Sequence, residues 1–221
     1  MFQARVHSIM KYTFPILTLC CILVSCDSSV TTSDPVNYAP LMPLRVGNSW
    51  QYEVCAFDSI GNQLLLQDYK DSVTHRSVQG ADTIYRLNGS FTKYANRADG
   101  IWSDISTIFK LQIPHPAVVG YSFRRDTLWA TSMKHNIYEE SYSVVKLEAT
   151  NAPVITPLDT FQCLKYSVTY YLSSDNSFFM HEYYYYTPGV GLIQIEYYNI
   201  ILQNREVRVS MRRRLKSVTL L

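Results

Sequence analysis

The stretch HEYYYYTPGVGLIQIEYY, from His181 to Tyr198, predicts two β-strands joined by a tight turn. Aromatic and β-branched residues flank a Pro-Gly-Val-Gly sequence, in which proline restricts φ and glycine accepts positive φ. Neighbouring residues of a strand point to opposite faces, so the four consecutive tyrosines divide into two pairs. One pair packs in the core, and only the other can bind a ligand. We take Tyr184 and Tyr186 as the candidate binding surface.

The same alternation recurs along the chain, between turn signals such as SIGN, RADG and SDNS. No long stretch repeats apolar residues at helical spacing, so few or no helices are expected. About nine or ten strands with short connections predict antiparallel pairing, because parallel pairing needs long crossovers. Such a sheet must twist and curl. The predicted fold class is mainly β, a strongly curved antiparallel meander forming a half-barrel or open barrel.

The segment from Lys110 to Arg125 differs from the rest of the pattern. Pro114 and Pro116 interrupt it, and proline cannot donate a hydrogen bond to a neighbouring strand. We therefore expect this segment to be an edge of the sheet or a loop crossing its open face.

The first 25 residues have the pattern of an export signal. Arg5 and Lys11 precede the apolar run from Tyr12 to Ser25, whose length of about 14 residues is shorter than the roughly 20 that a transmembrane helix needs. The run ends in Leu-Val-Ser-Cys at Cys26, which resembles the bacterial lipoprotein box. That resemblance implies cleavage before Cys26 and attachment of lipid, including palmitate-type acyl chains, to this residue. The alternative is a plain signal peptide or a buried apolar helix.

The polar sequence after Cys26 predicts a flexible tether. It is rich in Ser, Thr and Pro and has no apolar face to bury. We therefore divide the chain into a signal peptide (1–25), a lipidated cysteine with its tether (26–40) and a single β domain (41–221). The last segment is long enough for one domain with its own core.

Three motifs resemble a group of uncharacterised bacterial lipoproteins, in which a Gly-Asn-x-Trp-x-Tyr opening, a Thr-Phe-x-Cys middle and a Pro-Gly-Val-Gly-Leu closing recur in this order. They are PLRVGNSWQYEV (Pro43–Val54), VITPLDTFQCLKYSV (Val154–Val168) and YYYTPGVGLIQIEYYN (Tyr184–Asn199). The resemblance implies a curved antiparallel sheet similar to those of lipoprotein carriers and implies no chemistry. Asp159 stands where the group tends to have glycine. From the residues alone, the motifs are turns that set strand register, with Trp50 and Tyr52 on one face.

Charge excludes a general polyanion binder such as a nucleic-acid-binding protein. The chain has 20 basic and 18 acidic residues, and the signal removes Arg5 and Lys11 from the basic ones. Three arginines near the C-terminus would share one face of a strand, namely Arg208, Arg212 and Arg214, whereas Arg213 breaks the alternation. They could contact anionic lipid, lipopolysaccharide or an acidic partner. The alternative is a solvated edge strand that charge protects from aggregation.

The cysteines that follow Cys26 are Cys55 and Cys163. Export would place them where disulfides persist, so they could form a disulfide. Two buried free thiols are an equal alternative, because two cysteines do not define a framework.

No catalytic or metal-binding motif occurs. The histidines are isolated in sequence, and His181 and Glu182 would point to opposite faces of a strand. We therefore predict no catalytic residue, no metal and no cofactor, and we expect the protein not to be an enzyme.

Together these observations predict a lipid-anchored protein of the bacterial cell envelope, with the outer membrane favoured over the inner one, facing the periplasm or the cell surface. The first hypothesis is a non-catalytic domain that binds an apolar or amphipathic ligand, or a protein partner, on a curved β-sheet. The alternative is a structural or assembly lipoprotein of an envelope complex. The expected partners are the membrane, through the N-terminal lipid, and a lipid or an envelope protein.

Overall fold

The computed structural model describes residues 39–89, 92–104, 109–132, 137–201 and 206–221. Within these ranges the chain forms twelve β-strands and no helix, so no described segment is a helix that could cross a membrane. The strands are β1 (Ser49–Phe57), β2 (Gln63–Gln79), β3 (Asp82–Leu87), β4 (Lys93–Arg97), β5 (Gly100–Asp104), β6 (Phe109–Pro114), β7 (Ser122–Ser132), β8 (Ile137–Ile155), β9 (Thr160–Leu172), β10 (Phe178–Thr187), β11 (Gly191–Ile201) and β12 (Glu206–Thr219).

All twelve strands belong to one antiparallel sheet in the order β6-β5-β4-β3-β2-β1-β12-β11-β10-β9-β8-β7. Each strand pairs with its neighbour in sequence, except that β1 pairs with β12 and no pairing joins β6 to β7 within the described residues. The sheet is thus a meander that joins its first and last strands and is interrupted between β6 and β7. The predicted curved antiparallel sheet with few helices is confirmed.

The strand number exceeds the predicted nine or ten, because three strands lack the aromatic alternation used to find the others. These are β4, β6 and β7. β4 is only five residues long and is centred on Ala95. β6 and β7 lie in or overlap the proline-interrupted segment, and they form the two edges of the sheet. The prediction that this segment is an edge is therefore confirmed.

Side chains bridge the gap between the two edges. Arg125 on β7 donates from Nη1 to Oε1 of Gln112 on β6, at 2.5 Å. The hydroxyl of Tyr166 on β9 donates to the carbonyl oxygen of Pro114, at 2.8 Å. β9 and β6 can meet only if the sheet curls strongly, so these contacts define a concave face that encloses the core.

The core is densely packed where the described chain enters the sheet. Leu41, Met42 and Leu44 are buried there against inward side chains of the sheet. These contacts lie within residues 37–221, which form one compact unit. We therefore expect residues 37–221 to fold when produced alone.

The opening and closing motifs contact each other in this part of the core. The Trp50 indole nitrogen donates to the Val190 carbonyl oxygen at 2.7 Å, and the Tyr52 hydroxyl donates to the Leu192 carbonyl oxygen at 3.2 Å. Both aromatic side chains are fully buried, so they share the inner face as predicted. Gly191 lies directly against the indole ring and has positive φ. The two motifs thus fix how β1 sits over the β10–β11 turn.

The disulfide considered for Cys55 and Cys163 is not formed. Both residues are buried free cysteines, on β1 and β9. Three strands lie between β1 and β9, so the two positions are roughly 19 Å apart along the sheet at about 4.8 Å per strand. A disulfide needs Cα atoms within about 7 Å. The alternative of two buried thiols is the one found, and burial raises the pKa of the Cys163 thiol.

Candidate functional site

A group of polar side chains lies on the concave face, at the border of the packed core. Its members lie on β1, β2, β4, β10, β11 and β12, and they meet because the sheet curls β4 towards β10 and β11. We call this set the inner polar cluster; it consists of Tyr52, Tyr69, Asp71, Tyr94, Tyr186, Tyr197 and Arg213. It brings one cation, one carboxyl group and five phenols together inside a β-sheet.

Arg213 is directed inwards because it pairs with Val54 on β1 and with Ile195 on β11, both of which are buried. Its guanidinium carbon lies 4.5 Å from the centre of the Tyr52 ring and 5.3 Å from that of Tyr69. Cation–π contacts of this kind stabilise a guanidinium group but fill none of its N–H donors. Arg213 is therefore held in position by aromatic rings.

One buried donor of Arg213 has no acceptor among the described residues. Its Nη1 atom lies 3.6 Å from Oδ2 of Asp71, which is an ion pair but is longer than a hydrogen bond. Its Nε atom is buried and has no hydrogen-bond partner among the described residues. A buried donor without an acceptor is unfavourable, so Arg213 would be stabilised by a ligand that supplies an acceptor.

Asp71 supplies the negative charge beside Arg213. Its side chain is buried, and Oδ1 accepts a hydrogen bond of 2.9 Å from the Tyr69 hydroxyl. Burial raises the pKa of Asp71, while Arg213 and the Tyr69 hydrogen bond act in the opposite direction. The pair is therefore close to neutral overall, and its carboxyl group gains a proton more readily than an exposed one.

Three phenols of the cluster also lack partners. The hydroxyls of Tyr94, Tyr186 and Tyr197 make no hydrogen bond with any described residue, whereas those of Tyr52 and Tyr69 do. Burial raises the pKa of all three, so they remain protonated at neutral pH and can donate. Together with Arg213 they form a set of donors that faces the inside of the sheet.

The concave face opens towards the β1–β2 turn. Tyr69 and Leu65 share a strand face with buried Asp71, yet they are 41% and 48% exposed. An inward side chain is exposed to this extent only where nothing packs over it. We call the end of the sheet around Leu65 and Tyr69 the mouth; it leads from solvent to Arg213.

A second inward network lies next to the cluster and is fully bonded. Glu182 accepts hydrogen bonds from Tyr170 and Tyr184, at 2.9 and 2.7 Å. Arg125 donates to Ser143, to Tyr170 and, across the gap between the sheet edges, to Gln112. Burial raises the pKa of Glu182, against the effect of these donors and of Arg125. Since its groups already have partners, this network stabilises the curled sheet.

The expectation that Tyr184 and Tyr186 are the pair outside the core is wrong, because the alternation of β10 turns this pair towards the core. Tyr184 and Tyr186 both face inwards, and their rings stack with centroids 6.4 Å apart. The Tyr184 hydroxyl donates a hydrogen bond to Glu182, whereas Tyr186 belongs to the inner polar cluster. Tyr183 and Tyr185 lie on the outer face with Lys165, whose ammonium nitrogen is 3.9 Å from the Tyr183 ring centre.

The predicted arginine surface is paired in the structure. Arg212 donates to Glu196 at 2.9 Å, Arg214 donates to Glu53, and Arg208 donates to the carbonyl oxygen of Ser59. The alternative of a charged edge strand is wrong, because β12 lies between β1 and β11 in the middle of the sheet. Arg212 and Arg214 face outwards and Arg213 inwards, as predicted, whereas a register shift in the β11–β12 pairing separates Arg208 from them.

The outer face also contains His181, as its alternation with Glu182 predicts. Its Nδ1 atom lies 2.8 Å from the Thr169 hydroxyl, and its ring packs against Tyr183 and Tyr198. In the part of the chain that the structure describes, no three His, Cys, Asp or Glu side chains are grouped closely enough to hold a metal ion.

Of the seven residues of the cluster, only Tyr186 was predicted as a site residue; the six that were missed are Tyr52, Tyr69, Asp71, Tyr94, Tyr197 and Arg213. The only signal was that Arg213 breaks the inside–outside alternation of the C-terminal arginines. A cation at an inward position of a buried strand is a candidate for function, because charged side chains are rarely buried without a partner.

Comparison with known proteins yields fold neighbours only. No family of known proteins matches the chain, and no curated protein matches it. A predicted lipoprotein from Parabacteroides distasonis is similar in structure, with 16% identity, 83% of this chain and 100% of that chain covered, and a TM-score of 0.47. A predicted exported protein with a YmcC-like fold from Bacteroides fragilis has 12% identity, covers 82% and 100% of the two chains, and gives a TM-score of 0.42.

Proposed function

We propose that this chain is a lipid-anchored protein of the bacterial cell envelope whose curved sheet binds an amphipathic ligand on its concave face. The observation that supports this function is the set of unfilled donors around Arg213 beneath an open, partly apolar mouth. A ligand with a polar head would supply acceptors to the donors, and its apolar part would cover the exposed inward side chains at the mouth.

The mouth favours a ligand with an apolar part. Leu65 and Met211 lie in register on either side of Ala56 and face inwards, about 7 Å further along the strands than Arg213. Covering such side chains is favourable by roughly 25 cal/mol for each Å² removed from water. A ligand with an apolar part that covers Leu65 and Met211 would therefore gain this free energy.

The groups of the cluster favour binding over catalysis. Burial raises the pKa of its tyrosines, so they remain neutral phenols and are poor bases and nucleophiles at neutral pH. The same groups are good hydrogen-bond donors. We accordingly propose a carrier or binding role without a chemical step.

Binding can be measured on residues 37–221 with two matched fluorescent amphiphiles, 11-(dansylamino)undecanoic acid and its methyl ester. We expect saturable binding of at least one probe at about one per chain, with a blue shift of the dansyl emission. Leu65→Glu at the mouth should weaken binding by about tenfold, because it charges the apolar part of the path. Ile155→Glu is the control, since Ile155 is exposed at the far end of β8. If neither probe binds, the proposed function is wrong.

The anchor depends on Cys26, which lies outside the described residues. We expect the full chain, expressed in a bacterium with the lipoprotein pathway, to incorporate labelled palmitate and to partition into detergent. Cys26→Ser should abolish the label, because the thiol that accepts the lipid is lost. Cys21→Ser is the matched control and should keep it, since the residues before Cys21 make a poorer box. Full labelling of Cys26→Ser would refute lipidation at this residue.

A further inference from the structure

We infer that the ligand is a long-chain carboxylate, bound head-inwards with its carboxylate on Arg213 and its alkyl chain directed to the mouth. This inference rests on the proposed function and specifies the ligand class of the same site. The inference names Arg213 as the residue that recognises the head group, and it fixes the orientation of the ligand. The proposed binding function requires neither of these.

The head group must be an acceptor that carries negative charge. Within the described part of the chain the buried Nε of Arg213 has no partner, and its ion pair with Asp71 is 3.6 Å long, so a ligand can reach a donor that no protein group fills. The Tyr94, Tyr186 and Tyr197 phenols are near enough for the charge of Arg213 to act on their pKa, and within the described ranges their hydroxyls make no hydrogen bond. A carboxylate fits such a set, because its two oxygens accept paired N–H donors from one guanidinium edge and further bonds from phenols.

Charge balance favours a monoanion over a dianion. Asp71 already neutralises most of the charge of Arg213, so an entering carboxylate adds one negative charge to a buried site. Because burial raises the pKa of Asp71 and a second anion would raise it further, Asp71 can take up a proton and cancel that charge. A phosphate monoester carries close to two negative charges at neutral pH, and the cluster offers no second cation for it.

The orientation follows from what lies on each side of Arg213. Towards the chain entry, the inner face is filled by Trp50, Leu215 and Ile193, which are fully buried. Towards the mouth, inward Met211 and Leu65 are only partly covered. Side chains that an alkyl chain could cover are therefore exposed only in the second direction among these residues. The head group therefore enters first, and the chain runs out past Tyr69 and Leu65.

The test compares the dansyl acid with its methyl ester on residues 37–221, because the two probes differ only in the charge of the head group. We expect the acid to bind about tenfold more tightly than the ester, in line with a charge-assisted hydrogen bond. Arg213→Met should remove this preference by weakening the acid and leaving the ester unchanged. Arg212→Met is the matched control, because Arg212 is the neighbouring arginine, faces outwards and pairs with Glu196.

Arg213→Met removes one partner of a buried ion pair, which is destabilising. Burial raises the pKa of Asp71, so this carboxyl group can take up a proton and become neutral, and we expect the variant to be less stable but folded. Near-ultraviolet circular dichroism of each variant checks this. Should Arg213→Met not fold, Arg213→Lys serves instead: it keeps the charge, loses the planar edge and should bind the acid with intermediate affinity.

Each outcome is decisive. Preference for the acid that disappears in Arg213→Met and persists in Arg212→Met supports the inference. Equal affinity for acid and ester, or a preference that survives in Arg213→Met, overturns it and leaves the proposed function intact. Absence of binding by both probes overturns both. A competition experiment distinguishes the head groups. Dodecanoate should displace the probe at lower concentration than dodecyl phosphate does. The reverse order would overturn the carboxylate as the preferred head group and favour a phosphate.

Discussion

Trp50→Ala should lower the free energy of unfolding of residues 37–221 by about 3–5 kcal/mol, the usual cost of deleting a fully buried large aromatic side chain. The indole ring is 0% exposed, so its removal leaves a cavity in the packed core. The Val190 carbonyl oxygen would also lose its indole N–H donor. Urea unfolding followed by fluorescence or circular dichroism measures the change.

Trp102 provides the matched control for Trp50. It is half-buried on β5, lies beneath the Arg97 guanidinium at 4.0 Å and donates to Asp99. Trp102→Ala should cost only about 1 kcal/mol, because it opens no cavity and loses mainly a cation–π contact near solvent. Equal losses at Trp50 and Trp102 would contradict the claim that the Trp50 contact with the closing motif organises the core.

Gly191→Ala is the second substitution with a large expected effect, about 3–4 kcal/mol. A Cβ atom at Gly191 would lie 2.9 Å from the Trp50 indole nitrogen and 3.3 Å from its Cε2 atom, closer than normal contact. The backbone there also has φ of +113°, which an L-residue adopts only with strain. The cost therefore combines backbone strain with displacement of a buried ring.

Gly189→Ala isolates the backbone contribution, because Gly189 lies in the same turn with φ of +79° and its nearest neighbour would be 3.9 Å away. It should cost about 1–2 kcal/mol. In a Trp50→Ala background, the cost of Gly191→Ala should fall towards that of Gly189→Ala, since the ring is gone. An unchanged cost in that background would show that the ring contact contributes nothing.

The stability determinants and the proposed binding site occupy different levels of the same concave face. Trp50 and Gly191 belong to the packed core near the chain entry, whereas Arg213 lies further towards the mouth; Asp71 and Tyr52 of the cluster adjoin Trp50. Substitutions at Trp50 are expected to act on folding, and substitutions at Arg213 on ligand preference. The binding tests can be interpreted for each variant that near-ultraviolet circular dichroism shows to be folded.

Local sequence pattern was sufficient for the strands with strong alternation. The β10–β11 hairpin, the shared face of Trp50 and Tyr52 and the edge position of the proline-interrupted segment all follow from side-chain periodicity and backbone chemistry. The short strand around Ala95 escaped prediction, because its stability comes from pairing with β3 and β5. The propensity of single residues predicts a strand poorly where packing against the neighbouring strands determines whether the strand forms.

By itself, the sequence determined an antiparallel β-sheet, its main turns and which residues of a strand share a face, because these follow from interactions between residues close in the chain. Only the tertiary structure decided that β12 is a central strand paired with β1, that the predicted surface arginines have carboxylate or carbonyl partners, and that Cys55 and Cys163 lie apart. The tertiary structure alone also brings Arg213 together with Asp71 and Tyr94. Several of these contacts, such as Arg214 with Glu53 and Arg213 with Asp71, join residues more than a hundred positions apart, and they exist only because the first and last strands pair in one curled sheet.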